Sequence, residues 1–290
     1  MIAKKLKAVW ELLRLEHGLM YAAGVLAGIV VSSGLNFSWE KGTLGMLSAI
    51  FLQASGFALN DYVDYEVDTA NERFDRPLVR GELSRRLALI LSILLAPFGL
   101  LSAYLINFKA FLFALFVSLL GYAYDLKLKE TGIAGNIYIA FSMAVPFLFG
   151  SVVARDELCG AVVVLSSIAF LSGVGREIMK GIEDVRGDAI RKVKTVARVF
   201  GIRRAAKVAA TLYVISVAMS VLPPLLFRRF ANPGYAPVLL TDIILLQCSV
   251  ELLKIEKDEE KAAKVVRKLR KRTLIALTFG LLGFVLAALF

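Results

Sequence analysis

The sequence predicts an all-α, polytopic membrane protein of about nine transmembrane helices. Three observations predict it. Of the 290 residues, 58% are hydrophobic and the mean hydropathy is +0.70, well outside the range of a soluble domain. Apolar runs of membrane length recur along the whole chain, and a spanning backbone must hydrogen-bond to itself. The basic residues alternate in space along the sequence: with a cytoplasmic N-terminus, 30 of the 35 Lys and Arg fall in or beside inside segments.

Residues 1–17, MIAKKLKAVWELLRLEH, are basic and amphipathic, with Trp10, Leu12 and Leu13. They read as an interfacial helix leading into the first span, with no cleavable signal peptide. Nine spans follow, at 18–36, 43–60, 86–106, 108–124, 134–154, 157–178, 205–227, 235–253 and 273–290. The first is rich in Gly and Ala, which suits close helix packing. Two joints are tight, Asn107-Phe108-Lys109 and Arg155-Asp156-Glu157. Span seven ends at Pro223-Pro224, and the turn-rich FRRFANPGYAP follows it outside. Before span nine, KIEKDEEKAAKVVRKLRKR reads as a charged helix with Glu-to-Lys spacings and no chemistry of its own.

This order places the C-terminus outside. The chain reads as one domain, 1–290, carrying an internal four-helix repeat at 18–124 and 134–253 with a ninth helix at 273–290. Net charge of +11 faces the cytoplasm, toward anionic lipid or phosphorylated substrates. Nucleic acid is excluded as a partner, because the basic residues are short connections between spans. A lone His17 cannot form a zinc centre, and Cys159 and Cys248 lie in apolar runs with neither metal nor disulfide spacing.

Polar chemistry concentrates at three inside segments. Span two runs into NDYVDYEVDTANERFDRPLVRG, where Asn60, Asp61, Asp64 and Asp68 lie within about a 100° arc of one helix face. Like charges packed so closely repel, so something cationic belongs among them, and oxygen-only donors favour Mg²⁺. Arg73, Arg76 and Arg80 follow at once, a residue type shaped to grip phosphate. After span four, GYAYDLKLKETGIAGN places Tyr122, Tyr124, Asp125, Lys127 and Lys129 inside. After span six, REIMKGIEDVRGD places Glu177, Gly181, Asp184 and Asp188 within about 60° of a second helix face.

Two carboxylate clusters, loop cations and a hydrocarbon-level cavity suit an isoprenyl diphosphate. Mg²⁺ would bridge carboxylates to phosphate oxygens, and a tunnel between helices would take the prenyl tail. Loss of diphosphate leaves an allylic cation, which aromatic faces and excluded water protect until an acceptor attacks. The active site is therefore expected in a cavity at the cytoplasmic side.

NDYVDYEVD resembles the NDxxDxxxD motif of the UbiA superfamily of intramembrane prenyltransferases. Asn71, Arg73, Arg76, Pro77 and Gly81 continue the resemblance, YDLKLKETGIAGN resembles that family's tyrosine–lysine loop, and IEDVRGD its second aspartate motif. The resemblance covers nearly the whole chain. It implies Mg²⁺-dependent transfer of a prenyl group, such as geranylgeranyl, from its diphosphate to an aromatic or lipid-precursor acceptor in the bilayer. Carried over, Asn60, Asp64 and Asp68 hold Mg²⁺ at the first motif, and Asp184 and Asp188 at the second. Asn60, Arg73, Lys127 and Lys129 bind the diphosphate, and Tyr124 lines the cleft. Asp64, Asp68, Asp184, Asp188 and Tyr124 form the catalytic set. Many members carry an aspartate where Gly181 stands, and the Tyr–Lys spacing departs from YxxxK. KLKETGIAGN and REIMKGIEDVRGD look closer to the chlorophyll-synthase and geranylgeranylglyceryl-phosphate branches than to the hydroxybenzoate branch.

A cation-coupled transporter is the alternative, with the acids as ion sites. The acids sit at helix ends on one side rather than mid-span, which argues against it. A CDP-alcohol phosphotransferase is excluded by the absence of DGxxAR…GxxxDxxxD.

Overall fold

The structure, a computed structural model, describes residues 2–185, 193–256 and 258–290. Among these residues all regular structure is helical. The α-helices are α1 (Ile2–Leu13), α2 (Leu15–Ser33), α3 (Trp39–Ala70), α4 (Arg85–Ile106), α5 (Phe108–Leu126), α6 (Ile133–Arg155), α7 (Gly160–Glu183), α8 (Val196–Phe200), α9 (Ile202–Ser220), α10 (Leu222–Leu226), α11 (Ala236–Leu253) and α12 (Glu259–Leu289). Nine helical stretches among the described residues are long and apolar enough to cross a membrane, in the order of the nine apolar runs.

Two helices outrun the bilayer. α3 has 32 residues, roughly 48 Å at ~1.5 Å per residue, against ~30 Å of hydrocarbon. The apolar run ends near residue 60, yet the helix continues to Ala70, so the first acidic face rides on turns beyond the apolar part. α12 likewise fuses the charged segment before span nine and the span itself into one 31-residue helix. Both begin on side-chain caps: Ser38 Oγ accepts from Lys41 N–H at 3.3 Å and Asp258 Oδ1 from Lys261 N–H at 2.8 Å.

The chain divides into two compact units. One comprises the residues up to Ile29, Phe37–Lys127 and Phe149–Glu157. Its core packs Val25, Ile29, Ala103, Ile106, Ala110, Ala114, Phe149, Val152 and Val153. α4 lies along α3, close enough that a Cβ on Gly99 would stand 2.6 Å from Leu52 Cγ. A second cluster, Ala8, Leu12, Leu78, Leu83 and Ala88, seats α1 against the connection between α3 and α4. The interfacial helix expected from the sequence thus also packs on the loop that carries Arg73 and Arg76.

The other unit comprises Val30–Asn36, Leu128–Leu148 and the described residues from Leu158 onward. Its core gathers residues of α7, α9, α11 and α12 around the fully buried Tyr213, whose Oη donates to Met179 Sδ at 3.8 Å. Gly175 makes room for that ring, since a Cβ there would lie 2.9 Å from Tyr213 Cε1.

Candidate active site

In the first unit, the residues at the end of α3 differ in burial and in their partners, and Asp61 and Asp68 share Arg76. Asp61 is 2% exposed and pairs with Arg14 Nη2 at 2.7 Å. Arg14 joins α1 to α2 at φ 45° and lays its guanidinium 4.1 Å from the Phe57 ring centroid. Arg76 Nη1 stands 3.7 Å from the same Asp61 oxygen, while Asp61 Oδ2 is buried without a hydrogen-bond partner. Asp61 is therefore the buried counter-ion that organises Arg14 and Arg76. Asp68 is also buried, with Arg73 Nη1 at 3.7 Å and Arg76 Nε at 3.6 Å. Asp64, between them, is half-buried.

The arginine loop is held from several directions. Arg73 forks onto Asp75 with two bonds of 2.9 Å, which hold the Asp75 carboxyl down at about 2. Arg80 donates to the carbonyls of Phe74 and Asp75 and pairs with Glu11 of α1 and with Glu82, which holds the Glu82 carboxyl below its ordinary value. Gly81 closes the turn at φ +70°, a conformation that favours glycine.

Asn60 donates Nδ2–H to Asp125 Oδ1 at 3.0 Å. Asp125 is buried near the end of α5. An ionised carboxylate only accepts, so this contact fixes the amide orientation, with Nδ2 toward Asp125 and Oδ1 turned away from it. Nearby, Ser55 Oγ donates to Ser92 O at 2.7 Å, so the 2.8 Å contact with Tyr122 is donated by the tyrosine Oη. Tyr122 thereby braces α5 on α3 and α4. Tyr124 is half-buried and Lys127 exposed, on the last turn and C-cap of α5.

In the second unit, Glu177 (9% exposed), Gly181 and Asp184 share the acidic face of α7, and Asp184 is its C-cap. Lys180 Nζ lies 3.8 Å from Glu177. Glu183, off that face, is gripped by Arg270 at 2.6 Å and Arg267 at 3.0 Å, both from the charged extension of α12. Arg176 donates to Thr273 Oγ1 at 3.3 Å, a further tie to the same helix. Lys129 lies half-buried in the short turn Leu128–Thr131. Asp188 lies outside the described residues, as do Arg186, Arg191 and Lys192.

Sequence reasoning missed Arg14, Glu11, Glu183 and the two α12 arginines as parts of this machinery. Their contacts join positions 47 to 87 apart, and only the charge of each residue is visible in the sequence.

The donors at both faces are oxygens, which suits Mg²⁺. Among the described residues no three His, Cys, Asp or Glu side chains converge to hold a metal by themselves. Mg²⁺ bound with a phosphorylated ligand needs only one or two carboxylates, with phosphate and water completing its octahedron, and the residues present fit that mode.

A model of the UbiA prenyltransferase family matches residues 21–275. A digeranylgeranylglyceryl phosphate synthase of Archaeoglobus fulgidus is 53% identical over 98% of this chain and 96% of its own length. The enzyme of that name from Pyrococcus furiosus is 36% identical over 89% of this chain and 92% of its own. A solved structure reported for digeranylgeranylglyceryl phosphate synthase is 31% identical, with a TM-score of 0.84 over 98% of this chain and 99% of that one. A UbiA homologue from Archaeoglobus fulgidus, solved with DMAPP and Mg²⁺, shares the fold at TM-score 0.67 and 21% identity, over 93% of this chain and 99% of that one.

Proposed function

The chain belongs to the UbiA prenyltransferase family, and from that premise we propose that it transfers a geranylgeranyl group from geranylgeranyl diphosphate to geranylgeranylglyceryl phosphate, releasing diphosphate. The observation that carries the choice of acceptor is the 53% identity, over almost the full length of both chains, to a digeranylgeranylglyceryl phosphate synthase. The basic loops suit it, because both substrates are anionic and amphiphilic.

When bound, Mg²⁺ supplies the positive charge that lets carboxylates hold a diphosphate and that stabilises the diphosphate as it leaves. Asn60 Oδ1, Asp64 and Asp68 are the ligands of the first motif, and Asp184 and Asp188 those of the second. Arg73, Lys127 and Lys129 take the diphosphate oxygens, and Arg76 is poised beside Asp68 to do the same. Tyr124 offers an aromatic face to the allylic cation. The C1–O bond of the donor breaks with its electron pair on diphosphate. The free glyceryl hydroxyl oxygen then forms the ether bond at C1 and releases its proton. Both motifs face the cytoplasm, the N-terminus lies inside and the C-terminus outside.

The test is a transfer assay with purified protein in detergent, radiolabelled geranylgeranyl diphosphate and one acceptor at a time. The acceptors are geranylgeranylglyceryl phosphate, 4-hydroxybenzoate and dihydroxynaphthoate, each with Mg²⁺ and with EDTA. Labelled product with the glyceryl phosphate alone, lost in EDTA, is expected. Product with an aromatic acceptor instead would overturn the acceptor, and transfer undiminished by EDTA would overturn the metal.

A further inference from the structure

The second acidic face has a gap at its centre. Glu177, Gly181 and Asp184 line up on α7, and position 181 carries no side chain. The space there is nevertheless filled. A Cβ at Gly181 would stand 3.3 Å from Thr195 Cβ, 3.5 Å from its Oγ1 and 3.7 Å from its Cγ2. Thr195 is 5% exposed, so it cannot swing away into solvent. Its chain is fixed on both sides: the preceding residue, Lys194, packs its backbone directly on Gly132, and Ala197 enters the hydrophobic core.

The Thr195 hydroxyl makes no hydrogen bond that holds the fold. Thr195 is the N-cap of α8, where a threonine hydroxyl ordinarily accepts a first-turn N–H, but it makes no such bond. Its Oγ1 is buried without any hydrogen-bond partner. A buried orphan hydroxyl lowers stability, and valine would fill the same space without that cost. A hydroxyl held at position 181, between Glu177 and Asp184 on the α7 face, is placed to serve as an oxygen ligand or donor toward what that face binds.

We propose that Thr195 Oγ1 contacts the Mg²⁺–diphosphate head at the α7 face of Glu177 and Asp184, supplying there the oxygen that a carboxylate at position 181 would otherwise bring. Resting on the prenyl transfer proposed above, this makes Gly181 and Thr195 a coupled pair: the glycine is bare because the threonine occupies its place.

The test uses full-length protein in detergent, with Mn²⁺ and inorganic diphosphate as the probe, read by Mn²⁺ paramagnetic resonance and calorimetry beside the melting temperature. Thr195→Val should melt at or above the wild-type temperature and bind Mn²⁺–diphosphate about tenfold more weakly, the scale of one lost polar contact. Thr195→Ser should bind as wild type does. Gly181→Asp alone should lose binding because its side chain meets Thr195, and Gly181→Asp with Thr195→Ala should regain it. Wild-type binding by Thr195→Val, or a double variant no better than Gly181→Asp, would overturn the proposal. Failure of the wild type itself to bind Mn²⁺–diphosphate would remove the proposed metal–diphosphate site, and this role for Thr195 with it.

Discussion

Carboxylates on one helix face do unequal work, and burial separates them. Asp61 is sealed against Arg14, whereas Asp64 stands half-buried on the same arc. The spacing put both on one face, but what makes Asp61 a buried counter-ion is Arg14, 47 positions away, which no local pattern shows. Asp64→Ala and, separately, Asp184→Ala should reduce transfer at least about 100-fold, the cost of removing a charge-stabilising contact, while the protein still inserts and melts cooperatively. Full activity in either variant would remove that residue from the ligand set. In the proposed site Asp125 acts one step back, by holding the Asn60 amide through Nδ2. Asp125→Ala should weaken Mg²⁺ affinity by about 10–100-fold, as loss of an orienting partner does, so the Mg²⁺ dependence of the rate shifts while the rate at saturating Mg²⁺ falls less. An unchanged Mg²⁺ titration would reduce the Asn60–Asp125 bond to packing.

At the scale of elements, the helices were legible and their mutual grips were not. Apolar run length gave nine spans in order, because hydrocarbon thickness is a property each segment must satisfy alone. The charged stretch before span nine read as a charged helix with no chemistry of its own, and it is helical, but its Arg267 and Arg270 close on Glu183 at the end of α7. That grip fixes the last turn of α7 beside Asp184. Arg270→Ala should lower transfer several-fold with little change in the KM of either substrate, since it moves a ligand rather than binding substrate. α1 plays the corresponding part in the other unit. Arg14→Ala leaves the Asp61 charge buried and should destabilise by about 3–5 kcal/mol. Arg14→Ala with Asp61→Ala should cost less than the two single changes together, because the pair is in direct contact. Thermal unfolding of the four proteins in detergent closes that cycle, and additive losses would separate Arg14 from Asp61.

For the molecule as a whole, the strongest sequence signal is the charge asymmetry, 30 of 35 basic residues on one side of the proposed topology. Two further features follow if that side is the cytoplasm. Both acidic faces sit at the C-terminal ends of membrane helices, α3 and α7, four spans apart, as the proposed internal repeat requires. The extensions of α3 and α12 beyond their apolar runs are then both cytoplasmic segments of the sequence topology, as are Arg73, Arg76 and the lysines of the connecting loops. Glu40 in the first turn of α3 and Lys254 at the C-cap of α11 are both exposed and lie on opposite sides in this topology. With Cys159 and Cys248 replaced by alanine, Glu40→Cys should react with a membrane-impermeant thiol reagent in intact cells, and Lys254→Cys only after the membrane is opened. Protection of both in intact cells would place Glu40 on the inside too and break the alternation of spans. The reverse pattern would turn both acidic faces outward and put 30 of the 35 basic residues on the outer side, against the positive-inside rule.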